Sequence, residues 1–384
     1  MQQHIHTLQD IGLSYAIPFI DLETQQKKIR PKIEHAIQRV LNHGKYVMGP
    51  EIESLEAELS SFCGVKHVIT CSSGTDALRL ALMAKGVGPG DAVFVPAFTF
   101  VATAEAVVSV GATPVFVDVS PDTFNMCHNS LREAIGDLPK KLKPAGIIPV
   151  DLFGQPADYD RLNVVAKKSD LWMIADAAQS FGGRLHDQPV GTLAEITCTS
   201  FFPAKPLGCY GDGGALFTND DDLAEIIRSC RVHGQGANKY HNVRPGMTGR
   251  MDTIQAAILL EKLKIFPDEL KLRAHIADLY YKRMSCTVKC PELMEGAFSS
   301  WAQYTVITPK RDRLRGHLEK HNIPTAIYYQ NALSDQPAYK DCPRPRRGLP
   351  ITDQLVDRVL SLPMHAYLKK PVQDIIIDSV CSCW

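Results

Sequence analysis

Short apolar runs that alternate with helical stretches constrain the fold of this chain most strongly. Six such runs occur, at 67–70, 92–95, 114–117, 146–150, 171–175 and 196–199. Most of them are apolar on both faces, as strands are when helices cover both sides of a mostly parallel sheet. Helical spacing of apolar residues recurs between them, over 77–84, 101–110 and 160–168. The pattern therefore predicts an α/β fold with a mostly parallel central sheet covered by helices.

The alternation of strands and helices stops after about two thirds of the chain, and this change predicts a domain boundary. Two helical segments follow, 253–263 and 269–284, with Pro267 between them. Shorter strand and helix signals continue to the end of the sequence. We therefore expect a large α/β domain over 17–262 and a smaller C-terminal α+β domain over 263–384.

Charge and cysteine usage exclude several classes of protein. The chain has 42 Lys and Arg against 42 Asp and Glu, a balance that argues against a nucleic-acid or membrane-surface partner. Its eleven cysteines show no C-x-x-C spacing, so no metal site is expected. Neither a secretory signal over 1–16 nor an apolar stretch long enough to cross a bilayer is visible. We expect a soluble cytoplasmic protein with reduced thiols.

A lysine among prolines and large apolar residues is the candidate catalytic group. Segment 200–208 is Ser-Phe-Phe-Pro-Ala-Lys-Pro-Leu-Gly. Pro203 and Pro206 restrict the backbone on both sides of Lys205. Apolar surroundings lower the pKa of an amine, and the neutral amine can attack a carbonyl. On this segment alone, a surface lysine in an ordinary turn explains the pattern equally well.

Polar groups follow the predicted strands at the edge where open parallel sheets bind ligands. Segment 71–78 brings Ser, Gly and Thr to a helix N-terminus, which suits an anion but also describes a plain helix cap. Asp176 ends an apolar run, where a carboxylate is costly unless it meets a cation or caps the next turn. With Lys205, these groups match what pyridoxal phosphate (PLP) needs: an anion cradle, an acidic partner for the ring nitrogen, and an amine for a Schiff base.

These segments resemble the signature blocks of the DegT/DnrJ/EryC1/StrS sugar aminotransferases. The resemblance is carried by five blocks, at 74–78, 176–179, 200–208, 231–234 and 362–365. It extends in order from about Ile17 to about Ile376. It implies a fold-type I PLP-dependent transferase that forms a homodimer with shared active sites.

Three further segments, at 20–22, 96–105 and 253–260, carry a finer resemblance. They are similar to members that make 3-amino sugars from UDP-linked 2-acetamido-3-keto-hexuronates. The resemblance implies transfer of an amino group from L-glutamate to such a keto-sugar nucleotide, for lipopolysaccharide O-antigen or another surface polysaccharide. Two alternatives stay open: a 4-keto-6-deoxy sugar nucleotide as acceptor, and a non-catalytic PLP-binding regulator. A dinucleotide-dependent oxidoreductase is not favoured, because no G-x-G-x-x-G turn follows the first strand.

The resemblance also implies which residues surround the cofactor ring. Lys205 is expected to hold the cofactor and to move protons during transamination. Asp176 would pair with the ring nitrogen, and Gln179 with the ring hydroxyl. Phe100 would stack on one face of the ring and Ala178 would lie against the other. Core packing after a strand is the alternative for Phe100.

The cofactor phosphate is expected to bind at a second group of residues. By the resemblance, Gly74, Thr75 and Ser200 hold it within one subunit. Thr248 stands where the family usually has an Asn that reaches the phosphate in the neighbouring subunit. A threonine keeps a hydroxyl but has a shorter reach and no amide donor.

Three residues are candidate substrate contacts by the same resemblance. Arg250 would reach across the dimer to the sugar carboxylate, which a planar guanidinium suits well. An ordinary interface arginine is the alternative. Tyr328 and Tyr329 stand where relatives often have His-Tyr-Pro, so Tyr328 replaces a histidine expected near the substrate. A buried aromatic pair is the alternative for both tyrosines.

Overall fold

A computed structural model describes residues 17–384 of the chain. The earlier prediction about a secretory signal over 1–16 concerns residues outside this range. The α-helices in it are α1 Leu22–His43, α2 Pro50–Cys63, α3 Gly74–Ala84, α4 Ala102–Ser109, α5 His128–Gly136, α6 Tyr159–Lys168, α7 Asp221–Arg231, α8 Thr253–Leu263, α9 Phe266–Met284, α10 Arg311–Lys320, α11 Pro350–Val356 and α12 Lys370–Cys381. The strands are β1 His67–Cys71, β2 Asp91–Pro96, β3 Thr113–Val117, β4 Lys143–Ile147, β5 Trp172–Asp176, β6 Arg184–Leu185, β7 Gln188–Pro189, β8 Ile196–Ser200, β9 Gly214–Thr218, β10 Ala297–Phe298, β11 Tyr304–Ile307 and β12 Val359–Leu362. Within 17–384, no helix is both long and apolar enough to cross a membrane.

A seven-stranded sheet with the order β1-β9-β8-β5-β4-β2-β3 forms the centre of the molecule. Neighbouring strands from β8 to β3 are parallel, whereas β9 is antiparallel to both β8 and β1. Alternate residues enter two different cores: Val93 and Val95 pack on one face, and Ala92 and Phe94 on the other. Burial of both faces explains why the central residues of these strands are apolar on both sides. The prediction of a mostly parallel, helix-covered sheet is confirmed.

Some element boundaries differ from the sequence prediction for physical reasons. Strand β4 begins at Lys143, earlier than predicted, because its first residues pair with β2 although their side chains are exposed. Exposed polar residues at a strand end carry no hydrophobic signal. Pro267 lies in the first turn of α9 and not between two helices. A proline costs nothing there, because the N–H groups of the first turn have no partner within the helix.

The C-terminal part of the chain has its own core beside a two-stranded sheet of β11 and β12. Tyr280, Tyr304 and Leu362 are fully buried there. The first turns of α9 contribute Phe266 and Leu270 to a core shared with α2 and β9, whereas its later turns contribute to the C-terminal core. One helix therefore serves both cores. The division at 262/263 stays a prediction.

Gly146 in β4 tests how tightly the sheet is packed. A Cβ at Gly146 would lie 2.1 Å from the nearest atom of the Trp172 ring in β5. We expect Gly146→Ala to lower the free energy of unfolding by about 1–3 kcal/mol, because the indole or the strand must move. Urea unfolding measures the loss.

Gly136 at the end of α5 provides the matched control. A Cβ at this position would meet nothing within 4 Å. Gly136→Ala should therefore be neutral or slightly stabilising. Equal losses in the two variants would contradict the packing argument.

Candidate active site

The register of three strands brings a helix N-terminus against Ser200. Gly214 at the start of β9 pairs with Ser200 on one side and with Cys71 on the other. Helix α3 begins at Gly74, three residues after β1, and Ser73 caps it by accepting a hydrogen bond from Asp76 N at 3.1 Å. A Cβ at Gly74 would lie 2.6 Å from Ser200 Cβ. The amide end of α3 therefore lies beside the Ser200 hydroxyl, and this arrangement can hold an anion.

Lys205 follows β8 in a turn closed by its own backbone. Phe201 N donates to Gly213 O at 2.8 Å, and Lys205 N donates to Phe202 O at 2.9 Å. The Lys205 side chain is partly buried. Burial lowers the pKa of Lys205, and the charge of Asp176 partly opposes this shift. The amine and the carboxylate therefore belong to one site.

Asp176 ends β5 at the centre of this edge, with 6% of its surface exposed. One carboxylate oxygen accepts from Thr103 Oγ1 at 2.8 Å, and the other accepts from Ala178 N at 3.2 Å. Burial raises the pKa of Asp176, and the two hydrogen bonds and the charge of Lys205 oppose the increase. A buried carboxylate with only two neutral donors can accept a cationic partner.

Gln179 connects the sheet edge to the C-terminal part of the chain. Its Oε1 accepts from Phe153 N at 2.7 Å, and its Nε2 donates to Tyr329 OH at 3.2 Å. The Tyr329 ring centre lies 6.4 Å from that of Phe100, which follows β2. Phe100 is 54% exposed and is not a core residue. The structure thus brings an exposed aromatic ring, an amide and a phenol together.

Two of the predicted site residues, Thr248 and Arg250, lie outside this cluster. Thr248 is exposed, and its Oγ1 lies 2.9 Å from His233 Nε2. Arg250 is partly buried two residues further on. Within the described chain, neither residue makes a hydrogen bond or ion pair to Lys205 or Asp176. Tyr328 adjoins the cluster, since its ring centre lies 5.8 Å from that of Tyr329, and it also packs edge-on against Phe19 with ring centres 6.4 Å apart.

Thr103 and Asp151 are polar residues of this region that the sequence analysis missed. Thr103 is fully buried on α4 and donates to Asp176. The Asp151 carboxylate accepts from Ser180 Oγ at 2.6 Å and from Tyr159 OH at 2.8 Å, and Asp151 N donates to Asp176 O at 3.0 Å. Asp151 follows an apolar run just as Asp176 does, so the same criterion would have found it.

The family profile described as "DegT/DnrJ/EryC1/StrS aminotransferase family" matches residues 27–381. The chain belongs to this aminotransferase family. It is 48% identical over 355 residues to a Pseudomonas aeruginosa protein named UDP-2-acetamido-2-deoxy-3-oxo-D-glucuronate aminotransferase, covering 92% of this chain and 96% of that protein. A Brucella abortus family member of known crystal structure has a TM-score of 0.94 at 49% identity, with 95% of this chain and 98% of that chain covered. Bacillus subtilis NtdA, solved with bound cofactor PMP, has a TM-score of 0.83 at 28% identity, with coverages of 95% and 84%.

These findings confirm the predicted fold-type I arrangement and the predicted aminotransferase activity, with PLP as the cofactor. The residues present fit this cofactor. No side chain at position 74 separates the α3 amides from Ser200. The buried Asp176 suits a protonated ring nitrogen, and the burial of Lys205 favours a neutral, nucleophilic amine.

Asp151 is expected to give the aminotransferase a measurable pH dependence of stability. Burial raises the pKa of Asp151 to about 7. Hydrogen bonds from Ser180, Ala157 and Tyr159 favour the ionised carboxylate and partly oppose this increase. The folded state therefore binds this proton more tightly than the unfolded state, and stability falls as pH rises from about 4 to about 7. Asp151→Asn cannot ionise. Its stability relative to the parent should therefore improve by about 2–4 kcal/mol across this window.

Urea unfolding of both proteins at a series of pH values measures this difference. Asp187→Asn is the control, because Asp187 is exposed. The improvement is expected for the buried carboxyl only. A difference that does not change with pH for Asp151→Asn would show that its carboxyl does not titrate in this window.

Proposed function

We propose that the chain transfers an amino group from L-glutamate to a UDP-linked 2-acetamido-3-keto-hexuronate, giving a 3-amino sugar for a surface polysaccharide. The observation that carries this proposal is the 48% identity to the Pseudomonas aeruginosa relative, which spans 96% of that protein. The grouped Lys205, Asp176 and Gln179 side chains support catalysis in preference to a purely regulatory role. We place the reaction in the cytoplasm, since all eleven cysteines, each within the described range, are free.

Lys205 is the catalytic amine in this proposal. When bound, PLP supplies an electron-accepting ring that lets a proton leave the carbon next to the amino group. Lys205 Nζ takes that proton and later returns one to the sugar carbon, as general base and then general acid. Burial of Lys205 lowers its pKa and so increases the fraction of the neutral amine.

The residues around Lys205 are assigned to orientation and charge. Asp176, held by Thr103 Oγ1, keeps a negative charge for the ring nitrogen. Gln179, held by Phe153 N, is assigned to the ring hydroxyl. Phe100 and Ala178 are assigned to the two ring faces.

The phosphate and substrate sites complete the assignment. Gly74, Thr75 and Ser200 supply amides and hydroxyls for the cofactor phosphate. Tyr329, joined to Gln179 by a hydrogen bond, is assigned to the substrate side together with Tyr328.

We further propose a homodimer in which Thr248 and Arg250 serve the neighbouring active site. Large apolar side chains at 46–48 are 42–49% exposed. They lie beside Arg250, since Val47 forms a β-bridge with Asp252. A second copy of the chain would cover this apolar surface and bring Arg250 to its substrate.

The amino-transfer proposal is tested by the visible spectrum of the PLP-loaded enzyme. L-Glutamate should convert the spectrum to that of the pyridoxamine form, and the UDP-linked 3-keto sugar acid should restore it. Lys205→Ala should do neither at a measurable rate, because no amine moves the proton. Conversion without restoration would reject this acceptor and favour the 4-keto-6-deoxy alternative. An unchanged spectrum with glutamate in the wild type would favour the regulator.

Arg250 gives a separate test of the acceptor. Arg250→Gln should raise KM for the sugar acid by about 10–100-fold, because a charge-assisted pair with a carboxylate is worth about 1.5–3 kcal/mol. KM for a 3-keto sugar nucleotide without the carboxylate should change less than about threefold. Arg250→Lys keeps the charge but loses the planar guanidinium, so its KM for the sugar acid should lie between those of the wild type and Arg250→Gln. Equal losses with both substrates would remove the carboxylate role.

A further inference from the structure

Lys262 is a buried lysine with no role in the proposed reaction. It lies on α8 and is 1% exposed. Its Nζ donates to Gly208 O at 2.6 Å and lies 4.5 Å from the centre of the Tyr210 ring. Burying an ammonium is costly unless it is well compensated, so a methionine or leucine would fill this space at lower cost. The position of its single hydrogen bond therefore needs an explanation.

That hydrogen bond ends on the turn that presents Lys205. Gly208 follows Lys205 by three residues, and a Cβ at Gly208 would lie 2.6 Å from Phe202 O. Phe202 O is also the acceptor for Lys205 N, at 2.9 Å. The turn is closed so tightly that a displacement of Gly208 displaces Phe202, and with it the backbone of Lys205.

Helix α8 holds the same turn at a second point. Gln255 Oε1 accepts from Tyr210 N at 2.9 Å, and Gln255 lies about two turns before Lys262 on the same helix. Both hydrogen bonds meet backbone atoms of the turn, so they fix its position without depending on its side chains. Helix α8 is itself packed against α1 and α2, and this packing holds the helix in place.

Lys262 keeps its donor protons across the physiological range. Burial lowers the pKa of Lys262 to about 8, and the charge of Glu269 opposes this shift. Glu269 is itself buried and accepts from Gln25 Nε2 at 2.9 Å. An ammonium and a neutral amine can both donate to Gly208 O, so the contact survives a change of protonation.

We propose that Lys262 is a positioning residue, which fixes Lys205 for proton transfer by holding the carbonyl of Gly208. This inference rests on the proposed role of Lys205. Proton transfer and attack on a carbonyl depend on placement to within about 1 Å. Substrate binding uses other residues. Loss of the Lys262 contact should therefore lower rates that depend on Lys205 and leave binding almost unchanged.

The experiment compares Lys262→Met with Lys264→Met, which makes the same chemical change at the end of the same helix. Lys264 is exposed and pairs with Glu261 at 2.8 Å. For Lys262→Met, kcat should fall about 10–100-fold while KM for glutamate changes less than about threefold. The rate at which added PLP attaches to Lys205 in the apoenzyme, followed by visible absorbance, should fall in parallel. Lys264→Met should match the wild type in both measurements.

A second variant keeps the proposal testable if Lys262→Met does not fold. Gln255→Met removes the other hydrogen bond from α8 to the turn, which Tyr210 N donates to Gln255 Oε1, and introduces no unpaired buried charge. It should show the same pattern, with a lower kcat, a slower PLP attachment and an unchanged KM.

The outcomes separate this inference from the proposed function. Wild-type rates of PLP attachment and turnover in Lys262→Met, with only a lower melting temperature, would overturn the positioning role. If the wild type does not react with glutamate, the proposed function fails. The PLP attachment rates of the two Lys→Met variants would still test the positioning role in that case.

Discussion

The buried charge of Asp176 is the constraint on which the site depends. A carboxylate at the end of a largely buried strand is stable only if its neighbours compensate it. Thr103 Oγ1 and Ala178 N supply two neutral hydrogen bonds, and Lys205 adds a positive charge only while its amine is protonated. Burial raises the pKa of this carboxyl, and the cationic ring nitrogen that we propose as its partner would keep it ionised. The proposed pairing would therefore stabilise both the buried carboxylate and the protonated ring nitrogen of the cofactor.

The sheet order turns distant segments into neighbours of Asp176. Parallel strands place their carboxyl ends at one edge, so residues after β5 and β8 meet there. The antiparallel strand β9 separates β8 from β1, yet its register sets Gly214 between Ser200 and Cys71. That register brings the start of α3 to Ser200. A slip of one residue would turn the paired side chains to the opposite face.

Much of this arrangement is predictable from the sequence, because burial on two faces and chemistry at strand ends leave strong local signals. Lys205, Asp176 and the glycine that starts α3 are found in this way. Thr103 is not, because a buried threonine in an apolar helix looks like packing until its hydroxyl partner is known. In the homodimer that we propose, the positions of Thr248 and Arg250 relative to a substrate would depend on a second chain, which single-chain patterns do not encode. The hydrogen bond from Lys262 to Gly208 O joins residues 54 positions apart, and no periodicity of the sequence predicts such a contact.

The segment that carries Tyr329 shows how the C-terminal part of the chain is joined to the site. Leu333 N donates to Ala97 O at 2.9 Å, and Phe116 N donates to Pro343 O at 2.8 Å. The second bond satisfies an amide of β3, the edge strand, and so protects it from pairing with another chain. Asp118 just after β3 accepts from the backbone of Ile351 at 2.9 Å, at the start of α11. These contacts fix the chain that follows Tyr329, and this helps to hold Tyr329 against Gln179. The same contacts therefore protect the edge strand and position a residue of the site.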